Sequence, residues 1–68
     1  MGNIVVVKYK YRNEHNGKSP RGLGMWGFHI GRFGGEWFAP EVMMFSQALK
    51  LAKKIAKERG KRFIYVLP

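Results

Sequence analysis

The sequence predicts a small α+β domain, in which a three- to four-stranded, mainly antiparallel sheet carries one amphipathic helix on one face. Three observations predict this class. Apolar and polar residues alternate near the amino terminus, glycines separate aromatic segments in the middle, and alanines recur at helical spacing before a final apolar segment. The expected element order is β-β-β-α-β, and residues 1–68 are expected to form a single small basic domain.

The first strand is predicted over residues 4–12, where β-branched and aromatic residues alternate with basic ones. A period of two would place one set of side chains on the core side of the sheet, namely Val5, Val7, Tyr9 and Tyr11. The other set would face away from the core: Val6, Lys8, Lys10 and Arg12. Residues 13–24 hold turn residues without periodicity and are predicted to form a long loop.

A β-hairpin is predicted in the middle of the chain. Residues 25–32 alternate again, with Trp26, Phe28 and Ile30 on the core side and the other side formed by Met25, Gly27, His29 and Gly31. Gly34-Gly35 suits a tight turn, and a third strand is expected to begin near residues 36–38. Pro40 has no amide donor, so this strand is expected at an edge or broken there, and residues 42–44 fit either strand or loop.

An amphipathic helix and a fourth strand complete the predicted fold. Ser46 is the expected N-cap and Gly60 the expected C′ residue, and the buried face would consist of Ala48, Leu51, Ala52, Ile55 and Ala56. Residues 62–67 are largely apolar and predict the last strand. If the first three strands form an antiparallel meander, the last strand runs parallel to the first and third and pairs with the first.

Composition excludes several classes of function. The absence of cysteine excludes disulfides and thiolate metal sites and agrees with a cytoplasmic protein. Two histidines without any aspartate make a structural zinc site unexpected, and no cofactor is predicted. No apolar run approaches the roughly 18 residues of a membrane span, so no membrane partner is expected. His29 has no recognisable acid or nucleophile beside it in the sequence, so the protein is not predicted to be an enzyme.

The chain carries thirteen Lys and Arg residues against four acidic ones, which gives a net charge of +9. Such a balance indicates a polyanionic partner, although charge can also serve solubility alone. Four lysines repeat at i, i+3, i+4 and i+7 along the predicted helix: Lys50, Lys53, Lys54 and Lys57. Like charges at this spacing cost tenths of a kcal/mol per pair, which favours a binding role, while the alternative is an ordinary solvated helix face.

A second candidate surface is the face of the sheet away from the helix. It would carry Lys8, Lys10, Arg12 and His29 beside two glycines, Gly27 and Gly31, which would let a phosphate backbone approach the strands. The alternative is an ordinary exposed sheet face. Exposed aromatic rings would offer stacking platforms, with Trp37, Phe38 and Tyr65 as candidates, whereas a core role is the alternative for each of them.

The segment Trp26-Gly27-Phe28-His29-Ile30 followed by Phe45-Ser46 and an alanine-rich helix resembles two families of DNA-binding domain. These are the DNA-binding domains of plant ethylene-response factors and the amino-terminal arms of some phage and transposon integrases. Small phage and prophage proteins have a similar hairpin, helix and final strand. The resemblance covers residues 25–60. It implies that base and phosphate contacts would come from Lys8, Lys10, His29 and Arg32.

The sequence therefore predicts a nucleic-acid-binding module that contacts the phosphate backbone through Lys and Arg, with DNA favoured over RNA. The expected contact residues are Lys8, Lys10, Arg12, His29, Arg32, Lys50, Lys53, Lys54, Lys57, Lys61 and Arg62. The alternative is a protein-binding module, such as a small phage-type inhibitor or regulator that docks on an acidic partner surface. The sequence leaves the oligomeric state open.

Overall fold

The fold is built on a four-stranded sheet, and the computed structural model describes residues 3–32 and 35–68. Along the chain, its elements are β1 (Val5–Val7), α1 (Tyr9–Glu14), β2 (Leu23–Gly24), β3 (Gly27–Ile30), β4 (Glu36–Phe38), β5 (Met43–Met44), α2 (Phe45–Glu58) and β6 (Phe63–Val66). The four-stranded sheet has the order β1-β6-β3-β4, and β2 with β5 forms a second, two-stranded sheet. The predicted α+β class, with a mainly antiparallel sheet and one long helix, is confirmed.

The last strand lies inside the sheet rather than at its edge. β6 is parallel to β1, as predicted, and it is also antiparallel to β3, so the predicted meander of the first three strands is wrong. The side chains of Ile64 and Val66 are completely buried, while Phe63 and Tyr65 on the other face are half-buried. The central position pairs the backbone of β6 on both sides, with β1 on one side and with β3 on the other.

The first strand is shorter than predicted, because the chain turns into α1 after Val7. The Tyr11 ring lies 5.6 Å from Trp26 and stacks 3.9 Å from His15, one helical turn further on. These contacts favour a helix over the strand that the alternation of tyrosines indicates. The predicted faces of β1 are also reversed, since Val6 packs against the core while Val5 is 44% exposed.

The predicted loop over residues 13–24 contains the end of α1 and the short strand β2. β2 pairs with β5, which settles the segment 42–44 as partly strand. The carbonyl of Gly22 accepts two hydrogen bonds, from the indole N–H of Trp26 at 3.0 Å and from the amide N–H of Phe45 at 2.9 Å. This one carbonyl therefore ties the loop both to the start of β3 and to the start of α2.

The predicted hairpin of β3 and β4 is confirmed, and β4 lies at the sheet edge. Its register pairs Gly27 with Phe38 and His29 with Glu36. Gly34 of the predicted turn lies outside the described residues. The carbonyl of Gly35 accepts a hydrogen bond from the amide of Ile30 at 3.1 Å.

Helix α2 closes one face of the sheet with three fully buried alanines, Ala48, Ala52 and Ala56. Ile55 packs at the edge of this contact as predicted, whereas Leu51 is 38% exposed and is not a core residue. The residue before the helix is Met44, so the predicted N-cap role of Ser46 is wrong. The carbonyl of Gly22, not a serine hydroxyl, binds the first amide of the helix.

Gly60 follows the carboxyl end of α2 as the C′ residue, as predicted. Gly60 has φ +69°, and its amide donates to the carbonyl of Lys57 at 3.2 Å, while the amide of Lys61 donates to Ala56 at 2.8 Å. This pair of bonds is the Schellman motif, which satisfies carbonyls that the helix itself leaves unpaired. The motif also turns the chain directly from α2 into β6.

The core fills the space between α2 and one face of the sheet. Its largest fully buried side chains come from β3 and β6, and they are Phe28, Ile30, Ile64 and Val66. Trp26 and Phe45 close one end of the core with their rings edge to face at 4.8 Å. Because α2 covers this face, the residues that alternate with the core residues lie on the opposite face, which we call the open face.

Candidate nucleic-acid interface

The open face is formed by side chains that point away from α2. Its centre consists of Phe63 and Tyr65 of β6 and His29 of β3, all half-buried. The register places Tyr65 directly between His29 on one neighbouring strand and Val7 on the other. Three aromatic side chains thus lie on the central strands of this face.

The rings of Phe63 and Tyr65 form a row along β6. Their centroids are 6.5 Å apart and their planes are inclined by 25°, so the two rings are nearly parallel. The ring of His29 lies 6.2 Å from Tyr65 at 59°. Because Ile64, between the two rings in sequence, is fixed in the core, β6 holds the row in place on the sheet.

Cationic side chains lie beside this aromatic row. The guanidinium carbon of Arg32 lies 4.8 Å from the centroid of the Phe63 ring, at cation–π distance. Arg32 and Lys10 line a shallow depression together with His29 and Tyr65. The predicted residues Lys10, His29 and Arg32 are therefore brought together, although Lys10 comes from α1 and the other two from the end of β3.

Two other predicted residues of the amino-terminal segment do not join this group. Lys8 follows the alternation of β1 to the core side, where its ammonium nitrogen lies 5.9 Å from the centroid of the Phe45 ring. Arg12 uses its Nε–H to donate to the carbonyl of Gly17 at 3.4 Å, at the end of α1. Successive helical residues are rotated by about 100°, so Lys10 and Arg12 point in different directions rather than sharing one strand face.

The two glycines of the sheet do not leave room for a ligand, which corrects the role predicted for them. A Cβ on Gly27 would lie 2.6 Å from the Phe38 ring, and a Cβ on Gly31 would lie 2.9 Å from Cδ of Lys61. The space beside each glycine is therefore taken by a neighbouring side chain. At Gly31 this contact holds the methylene chain of Lys61 against the end of β3.

The lysines of α2 form a second cationic surface. All four predicted residues are exposed, opposite the buried alanines: Lys50, Lys53, Lys54 and Lys57. Lys53 and Lys57 line a depression with Lys61 and Arg62, beside residues 3–4. Since Lys61 also contacts Gly31, it connects this surface to the end of the sheet where Arg32 lies. We call the set Lys53, Lys57, Lys61, Arg62 and Arg32 the basic band.

The aromatic candidates separate into core and surface. Trp37 packs against the core, with its ring 6.1 Å from Phe28, whereas Phe38 is 58% exposed and lies over Gly27. Tyr65 is on the open face. Phe63 was not among the candidates predicted from the sequence, and the signal for it was the period of two within the last strand, which puts Phe63 and Tyr65 on the same face.

Neither a metal centre nor a membrane span is found in the part of the chain that the structure describes. Within residues 3–32 and 35–68, no three His, Cys, Asp or Glu side chains lie close enough together to hold a metal ion. Within the same ranges, no helix has both the length and the apolar character needed to cross a membrane. No charged side chain of the described residues is buried, so their cationic groups remain accessible to a partner.

Comparison with known proteins does not assign the chain to a family. No family model matches it, and neither a curated protein nor a solved structure is significantly similar to it. The resemblance to ethylene-response-factor and integrase domains stays a prediction. What the geometry offers is a row of aromatic rings flanked by cations, an arrangement suited to planar and anionic groups.

Proposed function

We propose that the protein binds nucleic acid, with its Lys and Arg side chains on the phosphates and the open face as the platform. The observation that carries the proposal is the position of Arg32 and Lys10 beside Phe63 and Tyr65, on the face that α2 does not cover. Cations next to partly exposed rings match both components of a nucleotide, its phosphate and its base. DNA is the first partner to test, and RNA is the second.

The distribution of acidic residues indicates how a polyanion would lie on the protein. Four glutamates stand against thirteen cations, so most cations have no acidic partner. Glu36 is paired in register with His29 and therefore lies on the open face, at its β4 edge. Its charge disfavours phosphate there, so the expected path of the backbone follows β6, from the basic band at one end to Lys10 at the other.

The test is the salt dependence of binding, measured by fluorescence anisotropy with labelled oligonucleotides. Neutralising phosphates releases counterions, so a protein with 6–10 phosphate contacts loses about 10³–10⁵ in affinity between roughly 50 and 200 mM salt. We expect a strong decrease over this range. Absence of binding to single- or double-stranded DNA and RNA at ~50 mM salt would overturn the proposal.

Matched lysine variants test which surface contributes. Each phosphate contact that is lost lowers the slope of log affinity against log salt by about 1. We expect this decrease for Lys10→Ala and for Lys61→Ala. Lys18→Ala is the control, because Lys18 is exposed in the loop after α1, outside the basic band and the open face. If Lys18→Ala lowers the slope as much as the other two variants, binding is diffuse and the site assignment is wrong.

Binding without cleavage is part of the proposal. The depression lined by Lys10, His29, Arg32 and Tyr65 contains residue types that could assist phosphodiester cleavage by general acid–base chemistry. We nevertheless expect labelled RNA and DNA to stay intact during prolonged incubation. Cleavage that disappears in His29→Ala would instead make the protein a nuclease.

The second candidate function is protein binding, and a separate observation favours it. Leu23 and Met25 are 71% and 65% exposed, and both line a depression with Phe38, Leu67 and Pro68. Apolar side chains exposed together commonly mark a docking surface. A protein partner with an acidic rim would bind without any nucleic acid, and Leu23→Ser with Met25→Ser would weaken that complex while leaving oligonucleotide affinity unchanged.

A further inference from the structure

We infer that the nucleic acid is recognised as a single strand, with one unpaired base on the ring of Tyr65 and a neighbouring base on the Arg32–Phe63 pair; this rests on the proposed function. Single-strand binders combine a cationic path for the backbone with aromatic rings for the bases. Both components are present along β6. The inference concerns the base faces, which the phosphate contacts of the proposed function do not require.

The two rings are spaced too widely to match bases that are stacked on each other. The centroids of Phe63 and Tyr65 are 6.5 Å apart. Stacked bases in a duplex rise by about 3.4 Å per nucleotide along each strand, so neighbouring duplex bases are too close together to match the two rings. A strand whose bases have separated from each other can place one base at each position. The row therefore selects against bases held in a helical stack.

The two rings also lie where the base faces of a duplex cannot reach them. Phe63 and Tyr65 lie on a central strand of the sheet and are half-buried, so they form the floor of a surface rather than a projecting wedge. The base faces of a duplex are covered by the next base pair, and a ring in a sheet floor cannot reach them. A duplex would gain the phosphate contacts alone.

Arg32 adds a planar cation on which a base can stack. Its guanidinium lies over the Phe63 ring at 4.8 Å, so the first position presents a planar cation supported by an aromatic ring. Bases stack on guanidinium planes as well as on aromatic side chains. At the second position, the ring of His29 flanks Tyr65 at 6.2 Å, and Lys10 lines the same depression. Each base position thus has a cation within reach of the adjoining phosphate.

The preformed geometry favours this mode of binding. Ile64 and Val66 are completely buried on the other face of β6, which fixes the strand that carries both rings. Little side-chain freedom is then lost when bases stack, because half-buried rings on a central strand are already ordered. The same argument does not hold for the exposed lysines of α2, which lose rotamer freedom on binding.

The experiment compares a 12-nucleotide single-stranded DNA of mixed sequence, the RNA of the same sequence and the DNA duplex, at one fixed salt concentration. Removal of a stacking ring weakens single-strand binding by about 5- to 150-fold per base. We expect such a loss for Tyr65→Leu with both single strands, and less than twofold change for the duplex. Tyr65→Phe keeps the ring and is expected to bind as the unchanged protein does.

Further variants make the outcomes distinguishable. Lys61→Ala removes a cation without a ring, so we expect it to weaken binding of single strand and duplex by similar factors. Thermal unfolding by circular dichroism verifies that each variant is folded, and Phe63→Leu provides a second ring variant if Tyr65→Leu does not fold. Equal affinity for single strand and duplex, unchanged by either ring variant, would overturn the inference while the proposed function stands. Absence of binding to all three probes at ~50 mM salt would instead overturn the proposed function itself.

Discussion

The two faces of the four-stranded sheet differ in the groups that lie against them. On the covered face, Phe28, Ile30, Ile64 and Val66 have no exposed surface, and the alanines of α2 lie directly against them. On the open face, His29, Phe63 and Tyr65 of the same strands are aromatic and half-buried. Two valines of β1 lie beside these rings in register, and the cations Lys10 and Arg32 flank them. The comparison indicates that one face provides stability and that the other is available for binding.

This difference has a physical basis in the kind of side chain that each face carries. Burial of apolar surface contributes about 25 cal/mol per Å², so the covered face supplies the favourable free energy of a small domain. Arg32 and Lys10 gain little from the protein itself, since exposed cations contribute at most about 1 kcal/mol through their contacts. Substitutions on the two faces are therefore expected to affect different measurements.

The largest expected effect is on the covered face. Ile64→Ala removes a completely buried side chain from the central strand and is expected to lower the free energy of unfolding by about 2–5 kcal/mol. This is a large part of the roughly 5–15 kcal/mol that holds a typical domain together. Urea unfolding measures the change. Val5→Ala, on the open face of the adjacent strand, is the control, and an equal loss there would contradict the division between faces.

The next effect tests the close approach of α2 to the sheet. Ala52 has no exposed surface, so Ala52→Leu forces extra atoms into a filled space and is expected to cost about 1–3 kcal/mol. Lys53→Leu adds a leucine at the next, exposed position of the same helix. Thermal unfolding of the two variants side by side separates overpacking from helix propensity. If both variants unfold at the same temperature, α2 does not pack as tightly as its alanines indicate.

A smaller effect on stability is expected at Gly31, which directly follows β3. Gly31 has φ +81° and contacts the side chain of Lys61, so Gly31→Ala is expected to cost about 1–2 kcal/mol through its left-handed backbone alone. Gly35→Ala is the control, because a Cβ there meets no atom within 4 Å. In a Lys61→Ala background the close contacts with Cγ and Cδ are gone but the backbone strain stays, so most of the cost of Gly31→Ala should persist. Its disappearance would attribute the whole cost to the contact with Lys61.

The smallest effect on stability is expected on the open face. Lys10→Ala should change the free energy of unfolding by no more than about 0.5 kcal/mol, because Lys10 is exposed. Its effect should be seen in oligonucleotide binding instead. A variant that loses stability and keeps binding would reverse the roles assigned to the two faces.

Much of the fold could be predicted from local patterns. The hairpin, the alanine face of α2 and the glycine stop at Gly60 each follow from a period or a cap that a few neighbouring residues define. The parallel pairing of the first and last strands was expected from a right-handed return after an antiparallel meander, and the pairing is observed although the meander is not. Helix α1 was missed because its tyrosines alternate as in a strand, and the contact of Tyr11 with Trp26, which favours the helix, is tertiary.

The candidate site was predictable where it depended on one element. The lysines of α2 share one face because a single helix sets their spacing, and that prediction is confirmed for their common exposure. The grouping of Lys8, Lys10 and Arg12 assumed a strand and is wrong for Lys8 and Arg12. The approach of Arg32 to Phe63 joins residues thirty-one positions apart in sequence (63 − 32 = 31) and depends on β6 lying beside β3. No local pattern contains that information.

The most direct test is an NMR titration of the protein with a short single-stranded oligonucleotide, in which chemical-shift changes locate the contact. We expect the largest changes at His29, Arg32, Phe63 and Tyr65, with smaller changes along the rest of the basic band and none at the buried alanines of α2. Changes confined to the exposed face of α2, or to Leu23 and Met25, would contradict the assignment of the open face as the binding surface.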